Sequence, residues 1–272
     1  MPVRDATQRF SSRVEDYARY RPAYPPEVIQ LLKTECRLAA ESVVADIASG
    51  TGILTRIVLE TGARVFGVEP NAKMRRAAEK FLAGYSRFTS VDGTAEATTL
   101  PDHSVDIITA AQAAHWFDPG KARQEFVRIL KPGGWTVLLW NDRRINASRF
   151  SREYEDLLLR YGTDYHEVRR LDANRTIKAF FAPSEFHARV FDNRQDFDYA
   201  GLEGRLLSSS YTPRAGDPKH EPMLRELRRI FDSNQVNNRI IFEYDTRVYY
   251  GQMNRVFIGD LWPPAARAFC EK

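Results

Sequence analysis

One segment constrains the fold of this chain more than any other: an apolar run that enters a turn of small residues and then a helical pattern. It reads Val43-Val44-Ala45-Asp46-Ile47-Ala48-Ser49-Gly50-Thr51-Gly52-Ile53-Leu54-Thr55. Glycines allow a tight turn and let a ligand lie against the backbone. Glu69 ends the next predicted strand, where a carboxylate can accept hydrogen bonds from ribose hydroxyls. Together these features predict a nucleoside-binding crevice in an open α/β sheet.

The turn is not typical of a phosphate site. Counted from Gly50, it lacks the third small residue of G-x-G-x-x-G, and no Gly-Lys-Ser/Thr follows. Asp46 stands at the head of the turn, where a buried carboxylate disfavours a pyrophosphate and suits a cationic ligand. A ligand with a sulfonium and an ammonium group is cationic and needs no phosphate-binding motif, so it suits this turn.

Strand and helix patterns alternate along the first half of the chain. The sequence predicts strands at 43–48, 64–69, 87–91, 105–110, 135–140, 188–191 and 240–250. It predicts helices at 5–20, 27–40, 54–61, 72–82, 121–130, 200–207 and 223–234, and a long helical region over 149–181. Such alternation is typical of a parallel, doubly wound α/β sheet.

Three motifs resemble those of class I S-adenosylmethionine-dependent methyltransferases. They are Asp46-x-x-x-Gly50-x-Gly52, Val65-Phe66-Gly67-Val68-Glu69-Pro70 and Leu130-Lys131-Pro132-Gly133-Gly134. The resemblance covers residues 10 to 140 and extends more weakly to Gly251. It departs at Ala48, where the first motif usually has glycine. It implies a doubly wound, seven-stranded, mostly parallel Rossmann-like sheet with a helical lid, in which the strand at 240–250 is antiparallel to the others.

The resemblance also assigns further residues to the cofactor, S-adenosyl-L-methionine. The segment Gly93-Thr94-Ala95-Glu96 would flank adenine, and the N-terminal Tyr-x-x-x-Arg-Pro stretch would close over the ligand. The candidate cofactor-binding residues are Tyr17, Tyr20, Arg21, Asp46, Ala48, Ser49, Gly50, Gly52, Glu69, Pro70, Met74, Gly93, Thr94, Ala95, Glu96, Ala111 and Gln112. Met74 is equally compatible with a core position, and Arg21 with a surface helix whose arginines snorkel.

The segment after the fourth predicted strand carries the candidate catalytic residues. Its Gln112-x-x-His115-Trp116-Phe117 pattern resembles the small-molecule branch that includes trans-aconitate methyltransferases. His115 is a candidate general base, although a packed histidine fits the same pattern. Trp116 is a candidate wall of the methyl-transfer site. For a carboxylate acceptor no base is needed, and Arg143, Arg144 or Arg205 could hold it.

The domain organisation follows from these patterns. We expect N-terminal cap helices at 1–40, a methyltransferase domain at 41–253 and a tail at 254–272. Helical insertions at about 141–185 and 200–236 would form a lid over the substrate. Aromatic residues in the first insertion, such as Tyr154 and Tyr161, are also compatible with ordinary core packing.

Composition narrows the class of protein. A hydrophobic fraction of 43% in 272 residues can fill a core, and 40 Lys+Arg against 36 Asp+Glu is only mildly basic. Cys36 and Cys270 lack metal-ligand spacing, so we expect no metal site and a reducing, cytoplasmic location. No apolar run reaches the ~18 residues of a membrane span, so we expect no membrane partner.

The sequence therefore predicts a methyltransferase that acts on a small-molecule acceptor at a carboxylate, hydroxyl or amine by in-line displacement. We expect a monomer or homodimer and no nucleic-acid partner. Two alternatives stay open. An RNA methyltransferase is compatible with the pI near 9.0, and a non-catalytic cofactor-binding interaction protein is compatible with Ala48 in the first motif.

Overall fold

Strands and helices alternate from residue 43 to residue 143 and build the frame of the molecule. The computed structural model describes residues 14–166 and 173–253. The strands are β1 (Val43–Ile47), β2 (Arg64–Val68), β3 (Phe88–Val91), β4 (Val105–Ala111), β5 (Leu130–Arg143), β6 (His187–Phe197) and β7 (Ile240–Gln252). The helices are α1 (Val14–Tyr20), α2 (Pro26–Thr34), α3 (Ile53–Leu59), α4 (Ala72–Phe81), α5 (Pro119–Ile129), α6 (Arg149–Tyr161), α7 (Ala173–Phe181), α8 (Tyr199–Leu207) and α9 (His220–Asn234).

The strands form one sheet in the order β3-β2-β1-β4-β5-β7-β6. Pairing is parallel from β3 through β5, whereas β7 runs antiparallel to both β5 and β6. This confirms the predicted doubly wound sheet and its antiparallel last strand. The winding reverses between β1 and β4, and a crevice forms at the carboxyl ends of such strands. Asp46 of β1 is in register with Thr109 of β4 at that position.

Three apolar clusters hold the layers together. Alternate residues of β1 enter two of them: Ala45 packs with Phe126 of α5 on one face, and Val44 packs with Leu32 of α2 on the other. The third cluster joins α6, α8 and α9 to the β6 and β7 residues near the carboxyl end of β5, and includes Phe242. The predicted insertions therefore have a core of their own, beside the crevice.

Several helices and strands begin or end at residues other than those predicted from the sequence. Helix α2 stops at Thr34 because Arg37 takes a φ of 60° and the N–H of Leu38 bonds back to the carbonyl of Leu32. Strand β5 starts at Leu130 and runs to Arg143. Gly133, with a φ of 77°, lets the chain bend within it. The first insertion therefore begins after Arg143, a few residues later than predicted.

The long helical region predicted over 149–181 is interrupted. Helix α6 ends at Tyr161, and Gly162 follows in an extended conformation. A Cβ at Gly162 would lie 2.5 Å from the carbonyl oxygen of Leu158, which explains why this position has no side chain. Residues 5–13 of the first predicted helix, residues 167–172 and the tail 254–272 lie outside the described residues. In the described ranges, no helix combines the length and apolarity that crossing a bilayer requires.

Candidate active site

Two adjoining cavities open above the carboxyl ends of the central strands. The larger, about 380 Å³, extends from the β1 turn to the insertion helices, and the smaller, about 170 Å³, lies over the end of β2. Tyr17, Ala48, Gly50, Ala111, Gln112 and Trp116 line both. The cavities are therefore two compartments of one crevice, which lies where the winding of the sheet reverses.

The turn after β1 forms the floor of this crevice with a run of left-handed backbone. The φ values are 55° at Ala48, 59° at Gly50 and 86° at Gly52. A Cβ at Gly50 would meet nothing within 4 Å, so it would project into open space of the cavity. Ala48 adopts the conformation that favours glycine, at the position where the resembled motif has glycine.

Glu69 binds the turn and faces the smaller cavity. Its Oε2 accepts a hydrogen bond from the N–H of Gly50 at 3.0 Å, and its Oε1 accepts one from the N–H of Asn71 at 2.9 Å. The side chain is 7% exposed, and burial raises its pKa while these hydrogen bonds oppose the rise. Each carboxylate oxygen has a second lone pair, so Glu69 can still accept from two ligand hydroxyls.

Asp46 is a buried carboxylate on the wall of the larger cavity. Its oxygens accept hydrogen bonds from Thr55 Oγ1 at 2.6 Å and from Thr109 Oγ1 at 2.9 Å. The residue is 1% exposed, and burial raises its pKa to about 6 although both hydroxyls stabilise the charged form. A cationic ligand group nearby would favour ionisation and lower that pKa.

The smaller cavity has walls that suit a flat, largely apolar group. Met74, Ala95 and Phe117 contribute apolar surface, and Thr94 and Glu96 complete the rim. Met74 is 4% exposed, and Ala95 is also buried. Together with Glu69, this compartment offers an apolar slot beside a hydroxyl acceptor, which is the pattern an adenosine requires.

Two buried donors on the wall of the larger cavity lack a partner. Within the described part of the chain, no acceptor bonds Arg21 Nε or Thr51 Oγ1. Arg21 is held in place by a hydrogen bond from its Nη2 to the carbonyl of Ser208 at 3.1 Å and by stacking on the Tyr17 ring, 4.8 Å from its centroid. Buried donors without partners are costly, so both are suited to a ligand carboxylate.

Three guanidinium groups, those of Arg21, Arg143 and Arg205, cluster on the wall of the larger cavity and define what we call the cationic chamber. Arg143 donates from Nη2 to Glu155 Oε2 at 2.9 Å and to the Tyr165 hydroxyl at 2.6 Å. Arg205, 4% exposed, donates to the Tyr244 hydroxyl at 3.3 Å and to Ser209 Oγ at 3.2 Å. Asp142, on the same cavity wall, pairs with Arg247. In the described residues no carboxylate pairs with Arg205 or Arg21, so these two guanidinium groups lack a paired counter-charge.

His115 lies beside Trp116 at the junction of the compartments, with ring centroids 4.7 Å apart. Trp140 Nε1 donates a long hydrogen bond of 3.4 Å to His115 Nδ1. A neutral imidazole that accepts at Nδ1 carries its proton on Nε2, so it has no second lone pair with which to remove a proton. In this geometry His115 is better suited to donate than to act as a base.

Comparison with known proteins agrees with this architecture. Residues 45–138 match a family model described as a methyltransferase domain. This stretch of the chain is therefore similar to a methyltransferase domain. The chain is 41% identical over 140 residues to an uncharacterized methyltransferase of Mycobacterium tuberculosis, covering 52% of this chain and 55% of that protein. An uncharacterized methyltransferase of Schizosaccharomyces pombe is 33% identical over 138 residues, 49% of this chain and 53% of the other.

The chain thus spans about half the length of these relatives. Among solved structures, a protein from Anabaena variabilis described as a methyltransferase from an antibiotic biosynthesis pathway superposes with a TM-score of 0.63. Its identity is 22%, with 87% of this chain and 99% of that one covered. A protein from Anaeromyxobacter dehalogenans described as a type II methyltransferase gives a TM-score of 0.62 at 21% identity, covering 86% and 98%. These likenesses show the fold.

Most of the residues predicted for the methyltransferase site line the two cavities, and four do not. Tyr20 packs on Gly204 of α8, and Gly52 precedes helix α3 with its Cα near Leu82. Gly93 lies against the carbonyl of Thr98, where a Cβ would be 2.8 Å from the oxygen. Arg144 pairs with Asp192 and with Asp245 on a separate surface groove, so it is not available to the acceptor end.

Several cavity residues were not predicted from the sequence. They are Pro22, Tyr24, Thr51, Ile53, Leu54, Asn71, Ala113, Phe117, Trp140, Asn141, Asp142, Ile145, Glu155, Tyr165, Ser210 and Tyr211. Glu155 did offer a signal in the sequence, because it is a carboxylate next to the apolar face of a helix. In the structure it is 5% exposed. Tyr165 and Tyr211 lie a few residues after α6 and α8, where sequence patterns carry little information about side-chain placement. No group of three or more His, Cys, Asp or Glu side chains within 14–166 and 173–253 is arranged to hold a metal ion.

Proposed function

We propose that this chain is an S-adenosylmethionine-dependent methyltransferase that acts on a small-molecule acceptor. The observation that carries the proposal is the two-compartment crevice, which offers an apolar slot with Glu69 at one end and a cationic chamber at the other. When bound, S-adenosylmethionine supplies a methyl group on a positively charged sulfur, which makes that carbon electrophilic.

The residues of the crevice fit this ligand group by group. Glu69 would accept from the ribose hydroxyls, and the slot formed by Met74, Ala95 and Phe117 would hold adenine. Asp46 would face the ammonium group, because a buried carboxylate with a raised pKa gains most from a nearby cation. The unpartnered Arg21 Nε and Thr51 Oγ1 would donate to the ligand carboxylate.

Trp116 lines both compartments, so it would lie where the sulfur is held. The face of an indole ring attracts cations, which supports a role in holding the sulfonium rather than in proton transfer. The chain would accelerate the reaction mainly by alignment and by excluding water from the junction.

The cationic chamber supports an acceptor that carries an anionic group. Arg205 lacks a carboxylate partner among the described residues, and Arg143 shares Glu155 with the Tyr165 hydroxyl. A small acid would compensate this charge, consistent with the resemblance of the Gln112 to Phe117 segment to trans-aconitate methyltransferases. The cavity of about 380 Å³ is near the lower end of the ~300–1,000 Å³ typical of ligand sites, which favours a small acceptor over a polymer.

Calorimetric titration with S-adenosylmethionine and, separately, with NAD tests the proposal. We expect micromolar binding of the former or of S-adenosylhomocysteine, about 8 kcal/mol, and none of NAD. Turnover is then screened on mono-, di- and tricarboxylates, trans-aconitate included, with and without hydroxyl or amino groups. Absence of binding to either sulfur compound would overturn the proposal, and tight, salt-sensitive binding of RNA would favour the nucleic-acid alternative.

A further inference from the structure

Tyr211 follows helix α8 and lies on the wall of the larger cavity, where the two insertions meet. Its carbonyl accepts a hydrogen bond from the N–H of Thr163 at 2.8 Å. Its ring packs on that of Tyr165, with 4.8 Å between centroids. The backbone of Tyr211 is therefore bonded to the segment after α6, its ring packs on Tyr165, and the residue lines the cavity in which an acceptor would lie.

Guanidinium groups approach Tyr211 from three different elements. Arg21 follows α1, Arg143 ends β5 and Arg205 belongs to α8, and each of them lines the same cavity. Glu155, a buried carboxylate on the same wall, is already engaged by Arg143 and by the Tyr165 hydroxyl, at 2.9 Å and 2.7 Å. Other ionisable groups of the described residues at this cavity are the carboxylates of Asp46 and Asp142, the latter paired with Arg247, and the phenols of Tyr17, Tyr24, Tyr154, Tyr165 and Tyr244.

This environment distinguishes Tyr211 from the other buried tyrosines. Burial raises the pKa of Tyr24, Tyr154 and Tyr165, as expected for a phenol removed from water. Burial acts on Tyr211 in the same direction, but the nearby charges of Arg143, Arg205 and Arg21 outweigh it, so the pKa of Tyr211 is lowered. A group on a cavity wall whose pKa is perturbed by specific charged neighbours is a candidate for a catalytic role.

We propose that Tyr211 is the general base of the transfer reaction and that the methylated atom is a hydroxyl oxygen of a small acid. The inference rests on the proposed function. Arg205 and Arg143 bind the carboxylate of the acceptor, which brings its hydroxyl toward the Tyr211 oxygen. His115 is less suited to this task, because its Nδ1 already accepts from Trp140.

The proposed step is balanced. The phenolate of Tyr211 takes the proton of the acceptor hydroxyl, and the oxygen lone pair forms a bond to the methyl carbon. The carbon–sulfur bond breaks with its electron pair going to sulfur, so the sulfonium becomes a neutral thioether. Tyr211 is left as a neutral phenol and returns its proton to water when the products leave.

The first test needs no acceptor. Ultraviolet titration near 295 nm follows tyrosinate formation in the wild type, in Tyr211→Phe and in Tyr199→Phe, where Tyr199 has its pKa raised to about 12 and lies outside the cavity. We expect an absorbance step below the ordinary tyrosine pKa of 10.0 that disappears in Tyr211→Phe and persists in Tyr199→Phe. The proposal would be overturned if the wild type and Tyr211→Phe showed the same absorbance step below pH 10.0.

The second test uses an acceptor found in the turnover screen. Tyr211→Phe keeps the ring packing, so we expect kcat to fall by about 10²–10⁴-fold, the usual contribution of a general base, with the affinity for S-adenosylmethionine within a few-fold of wild type. The rise of wild-type kcat with pH should vanish in the variant. An unchanged kcat or an unchanged pH profile would remove Tyr211 from the chemistry while leaving the methyltransferase proposal intact. Loss of cofactor binding by the wild type would instead refute the proposed function, and the absorbance titration would still decide the ionisation of Tyr211.

Discussion

Ionisation of the buried Asp46 carboxyl lowers the free energy of unfolding, and a neutral side chain at this position should remove that loss. Burial raises the pKa of this residue from 3.8 to about 6, so the folded state resists its ionisation. A difference of about two pKa units corresponds to roughly 3 kcal/mol at neutral pH. The folded state binds the proton of Asp46 more tightly than the unfolded state does. The stability that this protonation provides is therefore present at low pH, and it is lost as pH rises from 3.8 to about 6.

The substitution Asp46→Asn imitates the protonated form. It keeps an oxygen that can accept from Thr55 or Thr109, while the amide can donate to the other hydroxyl. We expect the variant to be more stable than wild type by about 1 kcal/mol near pH 4.5 and by about 3 kcal/mol near pH 7.5. The same change should weaken binding of S-adenosylmethionine, because the ammonium group loses its carboxylate.

Urea unfolding of wild type and variant at several pH values between about 4.5 and 7.5 measures the difference, with calorimetry for the ligand. Asp102→Asn is the control for removal of a carboxylate from the surface, because Asp102 is 66% exposed. The reasoning is refuted if the stability difference between Asp46→Asn and wild type does not grow with pH, or if the variant binds the ligand as tightly as wild type does.

Three further substitutions test the crevice and the packing of helix α8 on α1. Glu69→Gln should weaken S-adenosylmethionine binding by about 1–3 kcal/mol, because the ribose hydroxyls lose a charged acceptor; equal calorimetric affinities would exclude the ribose contact. Ala48→Gly should raise the free energy of unfolding by about 1 kcal/mol in urea, since Ala48 has a φ of 55°, and a loss of stability would contradict this. Gly204→Ala should lower stability by about 1–3 kcal/mol, because its Cβ would lie 2.1 Å from Cε2 of Tyr20. Gly84→Ala, with nothing within 4 Å, is the control, and equal melting temperatures for the two variants would exclude the predicted clash.

The cofactor half of the crevice was predictable because its residues follow directly from strands. Asp46, Glu69 and Gln112 each lie at or just after the carboxyl end of a strand, so a correct strand assignment also places them together. Ala48 was predictable for the same reason, because it directly follows β1 and the turn of the motif requires its left-handed conformation. Local patterns were sufficient here because parallel strands bring their ends to one edge.

The acceptor half depends on contacts between distant segments and was not predictable in the same way. Arg205 and Tyr211 follow from no motif, and they reach the cavity only because α8 packs against α1 and the segment after α6. Arg143 and Arg144 were equivalent candidates in the sequence, yet Arg143, the last residue of β5, pairs with Glu155, whereas Arg144, just after the strand, pairs with Asp245. Two adjacent arginines therefore differ in that one lines the cavity and the other forms a surface ion pair.

The distribution of charge along the crevice gives the proposed ligand one orientation. Asp46 and Glu69 place negative charge at the carboxyl ends of β1 and β2, whereas Arg21, Arg143 and Arg205 place positive charge about Tyr211. A ligand with an ammonium near Asp46 and a carboxylate near Arg21 would present its sulfur toward the arginines. A positive chamber disfavours a sulfonium and favours an acceptor anion, so transfer of the methyl group would relieve the repulsion that binding created. The arginines would therefore select an anionic acceptor and also favour the neutral thioether product. The specificity for the acceptor and the rate of methyl transfer would then depend on the same side chains.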